Sequence, residues 1–205
     1  MNKGIFITFE GVDGAGKSTQ LDYAVKYLSE SREDIVQTRE PGGTPLSEKL
    51  RQLMLDATDA ADPETEVLLM FAARKEHINR VIAPALDAGS VVICDRFTDA
   101  TFAYQGGGSG VNASRIEVLE HWVHKDVQPD LTLFFDLPVL VAQRRLGHRN
   151  KDRFESEALD FHERVRHAYL SRAKRDPERI KIIDSSLSKG KIRELVRHEL
   201  DVVCN

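Results

Sequence analysis

Five short apolar runs, rich in β-branched and aromatic residues, recur along the chain at Ile5 to Phe9, Ile35 to Thr38, Val91 to Cys94, Leu131 to Phe135 and Ile180 to Ile183. Runs of this length and composition predict strands buried on both faces. Between them, apolar positions fall three and four residues apart, which is the period of a helix with one buried face. The first such set is Leu21, Ala24, Val25 and Leu28; the next is Leu46, Leu50, Leu53 and Met54. A long segment from Glu64 to Ala88 follows, opened by the start signal Asp62-Pro63, and then Ile116, Leu119 and Val123. Strand and helix in alternation predict an α/β fold, a doubly wound five-stranded parallel sheet with helices on both faces.

At 205 residues, 41% hydrophobic and 30% charged, the chain suits one domain over residues 1–205 with a core of its own. "GGGSG" at Gly106 to Gly110 resembles a linker, but it lies between a helix start and another helix, so a loop near a ligand is expected and not a domain boundary. A net charge of −4 argues against a nucleic-acid polymer as partner, which would need a broad basic face. No stretch approaches the roughly 20 apolar residues of a membrane span, and the start "MNKGIFITFEG" has too short an apolar run for a signal peptide. Cys94 and Cys204 lie far apart without ligand spacing, so reduced thiols in a cytoplasmic protein are expected.

The first apolar run leads directly into "GVDGAGKST", Gly11, Val12, Asp13, Gly14, Ala15, Gly16, Lys17, Ser18 and Thr19. Gly, four residues, Gly-Lys-Ser is the spacing of the phosphate-cradling P-loop. Its glycines let backbone N–H groups turn inward, a helix N-terminus supplies the positive end of a dipole, Lys17 reaches the outer phosphates and Ser18 can ligate Mg²⁺. Such a loop also needs a carboxylate at the end of a neighbouring strand to hold the metal, directly or through water; "VVICDRF" offers Asp95, with Arg96 beside it to hold an acceptor phosphate. A guanine-nucleotide switch would carry N-K-x-D, whereas "NKDR" at Asn150 to Arg153 ends in Arg; a motor ATPase would need a longer chain. A small nucleotide kinase fits the length, and it must close a lid that excludes water. The arginine-rich "QRRLGHRNKDRFE", about 143–155, is the candidate lid, although a charge run can equally be a solvated helix face.

Four further stretches, "TREPGGT", "LLMFAARKEHI", "DRFTDATFAYQGGGSG" and "PDLTLFFDL", together with the P-loop, resemble the thymidylate kinase family in the family's order over nearly the whole chain. The resemblance implies a P-loop kinase fold, ATP as co-substrate, dTMP as acceptor, Mg²⁺ and a homodimer built from helices. It implies that Phe71 stacks on thymine, Arg74 donates to a base carbonyl, Thr101 and Gln105 face the base edge, and Tyr104 fills the space of a ribose 2′-hydroxyl. Arg96, Arg51 and Arg39 would hold the acceptor phosphate, Glu40 would lie near the reacting phosphates, and Asp13 near the acceptor sugar and metal; Arg39 and Glu40 could instead pair with each other. Where some relatives carry arginine in the P-loop this chain has Gly14, which resembles the branch that takes its cations from the lid. Arg149 and Arg153 are then the catalytic candidates beside Lys17 and Arg96, with Arg145 a third possibility for the lid. His121 and His124 have helical spacing but no third ligand, so they suit an exposed or dimer surface better than zinc, and Trp122 suits packing. A kinase for another nucleoside monophosphate and a non-catalytic nucleotide-binding regulator are the alternative readings.

Overall fold

The computed structural model describes residues 4–55, 61–147, 154 and 157–204. Its five strands are β1 (Ile5–Glu10), β2 (Ile35–Arg39), β3 (Val91–Asp95), β4 (Leu131–Asp136) and β5 (Ile180–Asp184), each starting where the apolar run starts and reaching one residue past its end. They form one sheet in the order β2-β3-β1-β4-β5, parallel throughout. β1 therefore sits centrally, hydrogen-bonded to β3 on one side and β4 on the other, and the crevice at its carboxyl end is where an open α/β sheet receives ligands. The register puts Phe9 opposite Asp95 and Asp95 opposite Arg39, so the tips of three strands share one rim.

Only the inner strands are buried on both faces. β2 is half-exposed along its length, and Ile182 of β5 is 50% exposed, because these strands are the sheet's edges and each has a single neighbour. Within β3 the pleat sorts the apolar run: Val91 and Ile93 join a layer with Leu21, Ala24 and Leu28, whereas Val92 and Cys94 join one with Phe6, Val67 and Ile116.

The helices that cover the two faces begin with α1 (Lys17–Ser29), α2 (Pro45–Leu55) and α3 (Pro63–His77). Asp62 caps α3 by accepting from Glu64 N at 2.8 Å, with Pro63 in the first turn where no donor is lost. The helix continues as a π-helical turn, Ile78–Ile82, into α4 (Ala83–Asp87). After β3 come α5 (Thr98–Thr101), a second π-helical stretch from Phe102 to Gly108, and α6 (Ala113–His124); α7 (Val139–Leu146), α8 (Leu159–Arg175) and α9 (Lys189–Cys204) complete the chain.

The glycine run is thus helical through Gly108, not a loop. Its glycines admit α8: a Cβ on Gly107 would lie 2.5 Å from the Ala168 Cβ, and one on Gly108 2.5 Å from the Phe161 ring. Asp99 is buried beneath this contact, paired with Arg172 and with Arg179 at 2.7 Å, so two arginines tie α8 and the entry to β5 to the helix carrying the "DRFTDAT" motif. Trp122 does not pack internally; it is 74% exposed on α6. His121 is exposed and His124 is buried, where it bonds Thr98 Oγ1 through Nε2 at 2.6 Å and lies against Phe97, ring centroids 4.8 Å apart.

Candidate active site

The P-loop lies between the tip of β1 and the start of α1. Gly16 precedes the helix at φ 90°, a conformation an L side chain resists, and no side chain caps the first turn. The leading N–H groups of α1 are therefore not taken by a side-chain cap, which is the arrangement that receives a phosphate. Lys17 is buried and its Nζ donates to Gly11 O at 3.0 Å, with Asp13 Oδ1 at 3.6 Å. Burial and the neighbouring Arg96 charge draw the Lys17 ammonium down from its ordinary range, against the opposing pull of Asp13, Asp95 and Glu10.

Beside the loop opens a cleft lined by polar and apolar side chains together. Asp13, Glu40, Arg51, Arg74, Arg96, Thr101, Tyr104 and Gln105 all line it, although they come from five separate parts of the chain. Arg96 Nη2 donates to Asp13 Oδ1 at 2.8 Å and its guanidinium lies over the Tyr104 ring, 4.7 Å from the centroid. Burial opposes that charge, but Asp13 more than offsets it and Arg96 is held firmly cationic. Arg51 donates from Nη1 to Pro41 O at 3.1 Å at the other side of the opening.

Arg74 is buried in the wall. Its Nε donates to Glu40 Oε2 at 2.7 Å and its Nη2 to Thr101 Oγ1 at 3.1 Å, while its buried Nη1 has no hydrogen-bond acceptor among the described residues. Glu40 also meets His77 Nδ1 at 2.9 Å, and His77 Nε2 reaches Thr38 Oγ1 at 2.7 Å. Burial raises the Glu40 carboxyl, but Arg74 and then His77 outweigh it and the group stays ionised below its usual range. Gln105, 1% exposed, points its Nε2 toward Glu66 Oε2 at 3.5 Å.

Two placements, those of Phe71 and Arg39, differ from the sequence-level expectation. Phe71 does not line the cleft; it lies in the apolar layer with Phe6, Val67 and Ile78, and Met70, one residue earlier, faces the opening together with Phe97. Successive residues on a helix point about 100° apart, so one step in sequence exchanges core for cleft. Arg39 and Glu40 do not pair with each other: Arg39 bonds Glu48 Oε2 at 2.9 Å and faces a separate groove shared with Ser18 and Asp95. Arg145 is engaged with Ser185 O at 3.0 Å, and Arg149 and Arg153 lie outside the described residues.

Asp95 and Ser18 face that same groove, and Asp95 Oδ1 is buried without a hydrogen-bond partner among the described residues. A buried carboxylate oxygen with no donor beside a hydroxyl is a fitting donor set for a hard cation. No group of three or more acidic, histidine or cysteine residues gathers as a protein-only metal cage among the described residues.

Sequence reasoning passed over Glu10, Met70, Phe97, His77 and Phe154. Phe154, buried beside the cleft, meets the Tyr104 ring edge-on with centroids 6.1 Å apart. Glu10 is fully buried at the base of the P-loop, where burial and Asp99 push its carboxyl up to about 7 against the pull of Tyr169 and Arg96. Its one sequence signal was an acidic residue closing an otherwise apolar strand.

The family model for thymidylate kinase matches residues 9–196. The chain is 56% identical to the thymidylate kinase of Nitrosomonas eutropha over 94% of this chain and 90% of that protein. It is 57% identical to the thymidylate kinase of Cupriavidus necator over 94% and 95% of the two chains. Among solved structures, the crystal structure of thymidylate kinase from Ehrlichia chaffeensis superposes with a TM-score of 0.81 at 37% identity, covering 97% of this chain and 99% of that one.

Proposed function

The chain belongs to the thymidylate kinase family, and from that premise we propose that it transfers the γ-phosphoryl group of ATP to the phosphate of dTMP, giving dTDP and ADP. The observation that carries the site assignment is the buried Arg74, fixed in the cleft wall by Glu40 and Thr101, with its Nη1 left without an acceptor among the described residues. That donor suits a base carbonyl. Thr101 and Gln105 complete a polar edge for the pyrimidine, Met70 and Phe97 its apolar wall, and Tyr104 fills the space a 2′-hydroxyl would need.

Chemistry here requires alignment and charge neutralisation more than proton transfer, because the acceptor phosphate is already dianionic near neutral pH. The P-loop amides and Lys17 hold the donor phosphates. Arg96 and Arg51 hold the acceptor, and Asp13, bonded to Arg96, fixes where that guanidinium sits. The segment at about 143–155 closes over the cleft as a lid and contributes an arginine, Arg149 or Arg153. Arg39, bonded to Glu48 on the Asp95 side, is assigned to the rim of the phosphate groove and not to the base. Ser18 and Asp95 would hold Mg²⁺, directly or through water, and the ion would supply charge neutralisation across the donor oxygens.

A homodimer forms part of the proposal. Leu68 on α3 and Val118 and Trp122 on α6 are exposed, and the two helices lie side by side, tied by Glu64 with Arg115 and by Lys75 Nζ with Val123 O. Large apolar side chains exposed on two adjacent helices suit a second copy. A cytoplasmic location accords with ATP as substrate and with two free cysteines, Cys94 and Cys204; no helix among the described residues is long and apolar enough to cross a membrane.

Acceptor-dependent ADP release with dTMP, dUMP, dCMP and AMP, each with ATP and Mg²⁺, tests the reading. dTMP is expected to give the highest kcat/KM. Preference for AMP or dCMP would assign the cleft to another nucleotide, and ADP release independent of acceptor would remove the kinase assignment.

A further inference from the structure

We propose that Glu10 is a positioning residue whose buried carboxylate holds the backbone turn that aims Arg96 into the acceptor cleft. The inference rests on the reading of Arg96 as a ligand of the acceptor phosphate and adds to it the group that keeps Arg96 in place.

The need for such a group comes from the backbone. Arg96 has φ 68°, the left-handed region that non-glycine residues avoid, and among the described residues Lys125 is the only other non-glycine residue with positive φ. Strand alternation would send residue 96 to the face of Val92 and Cys94, which belong to the apolar layer under α3 and α6. The left-handed step instead turns the side chain across the sheet rim to Asp13, on the P-loop 83 residues earlier.

The turn is fastened on both sides of that step. Arg96 N donates to Phe9 O at 3.0 Å, continuing the β1–β3 ladder past its last regular pair. The next amide has no ladder partner, and Phe97 N donates instead to Glu10 Oε1 at 2.7 Å. Glu10 Oε2 accepts from the Tyr169 hydroxyl of α8, also at 2.7 Å, and the carboxylate is fully buried. One side chain therefore links the tip of β1, the turn after β3 and helix α8. Glu10 itself lines neither the cleft nor the groove of Ser18 and Asp95, so its effect on the substrate passes through Arg96.

Steady-state kinetics with dTMP and ATP varied separately, on E10L, E10Q, Y169F and R96A beside the wild type, test this, with thermal melting to confirm folding. Leucine removes both acceptors at nearly the same volume, and E10L is expected to raise the KM for dTMP about tenfold while the KM for ATP stays within about twofold. Glutamine can still accept from Phe97 N and donate to the Tyr169 oxygen, so E10Q should return the dTMP KM to within about threefold of wild type. A folded E10L with both KM values unchanged, or with both raised equally, overturns the proposal, and so does an E10Q as impaired as E10L. Should E10L fail to fold, E10M, which fills the site without a carboxylate, takes its place: a rise in dTMP KM alone supports the role of Glu10, and wild-type kinetics overturn it. Y169F, which removes one of the two anchors and leaves the bond to Phe97 N, is expected to raise the dTMP KM less. R96A separates this inference from its premise, because an unchanged dTMP KM in R96A would refute the acceptor-site assignment whatever Glu10 does.

Discussion

Replacing Arg74 by methionine keeps an unbranched side chain of similar length but removes a cation that is 2% exposed, leaving Glu40, itself 5% exposed, with only His77 at 2.9 Å. Breaking a buried ion pair from one side typically costs about 3–5 kcal/mol, because the remaining charge cannot reach water. At roughly 2–4 °C per kcal/mol for a chain of this size, R74M should lower the melting temperature by roughly 6–20 °C. E40Q leaves the buried Arg74 cation without its countercharge, although the amide oxygen can still accept from Nε and Thr101 stays at 3.1 Å, and should cost up to a similar amount. The double variant R74M/E40Q removes each charge along with its partner, so its loss should fall well short of the sum, with a coupling energy of about 2 kcal/mol or more. Urea unfolding of the four proteins at one pH measures this directly. Additivity within about 0.5 kcal/mol would refute the reasoning, since the pair would then contribute nothing as a pair.

Three further outcomes follow from the geometry. Burial and the Arg74 charge hold His124 neutral down to about 3, whereas its ordinary value is 6.5; the unfolded chain therefore binds the proton first, and this group costs stability as pH falls through that window. The slope approaches about 1.4 kcal/mol per pH unit, and H124N should flatten urea-measured stability between pH 6 and 4.5; an unchanged slope would assign the acid sensitivity to other groups. G107A places a Cβ 2.5 Å from Ala168 Cβ and 3.0 Å from Arg164 O, and it should destabilise by about 1–3 kcal/mol in thermal or urea melts, whereas an unchanged midpoint would mean that α8 can retreat freely. Charging the proposed dimer surface with L68E and W122E should lower the mass read by light scattering from that of a dimer to that of a monomer without unfolding the chain; a mass unchanged from wild type would count against this surface.

What the chain spells out by itself is local. Strand positions were legible to within a residue because parallel inner strands must be apolar throughout, and the start of α3 was legible because Asp62-Pro63 satisfies the first turn with neighbouring residues. The P-loop was legible for the same reason, since its glycines and lysine act within one strand-turn-helix unit. Only the folded chain decided which of Met70 and Phe71 meets the cleft, because both are apolar and adjacent on a helix, and only packing against Phe6 and Val67 makes one of them core. It likewise paired Arg39 with Glu48 and Glu40 with Arg74, buried His124, exposed Trp122, and coiled the glycine run against α8. Glu10 is the extreme case: its partners lie 87 and 159 residues away, and a carboxylate at the end of an apolar strand has no meaning until those partners close around it.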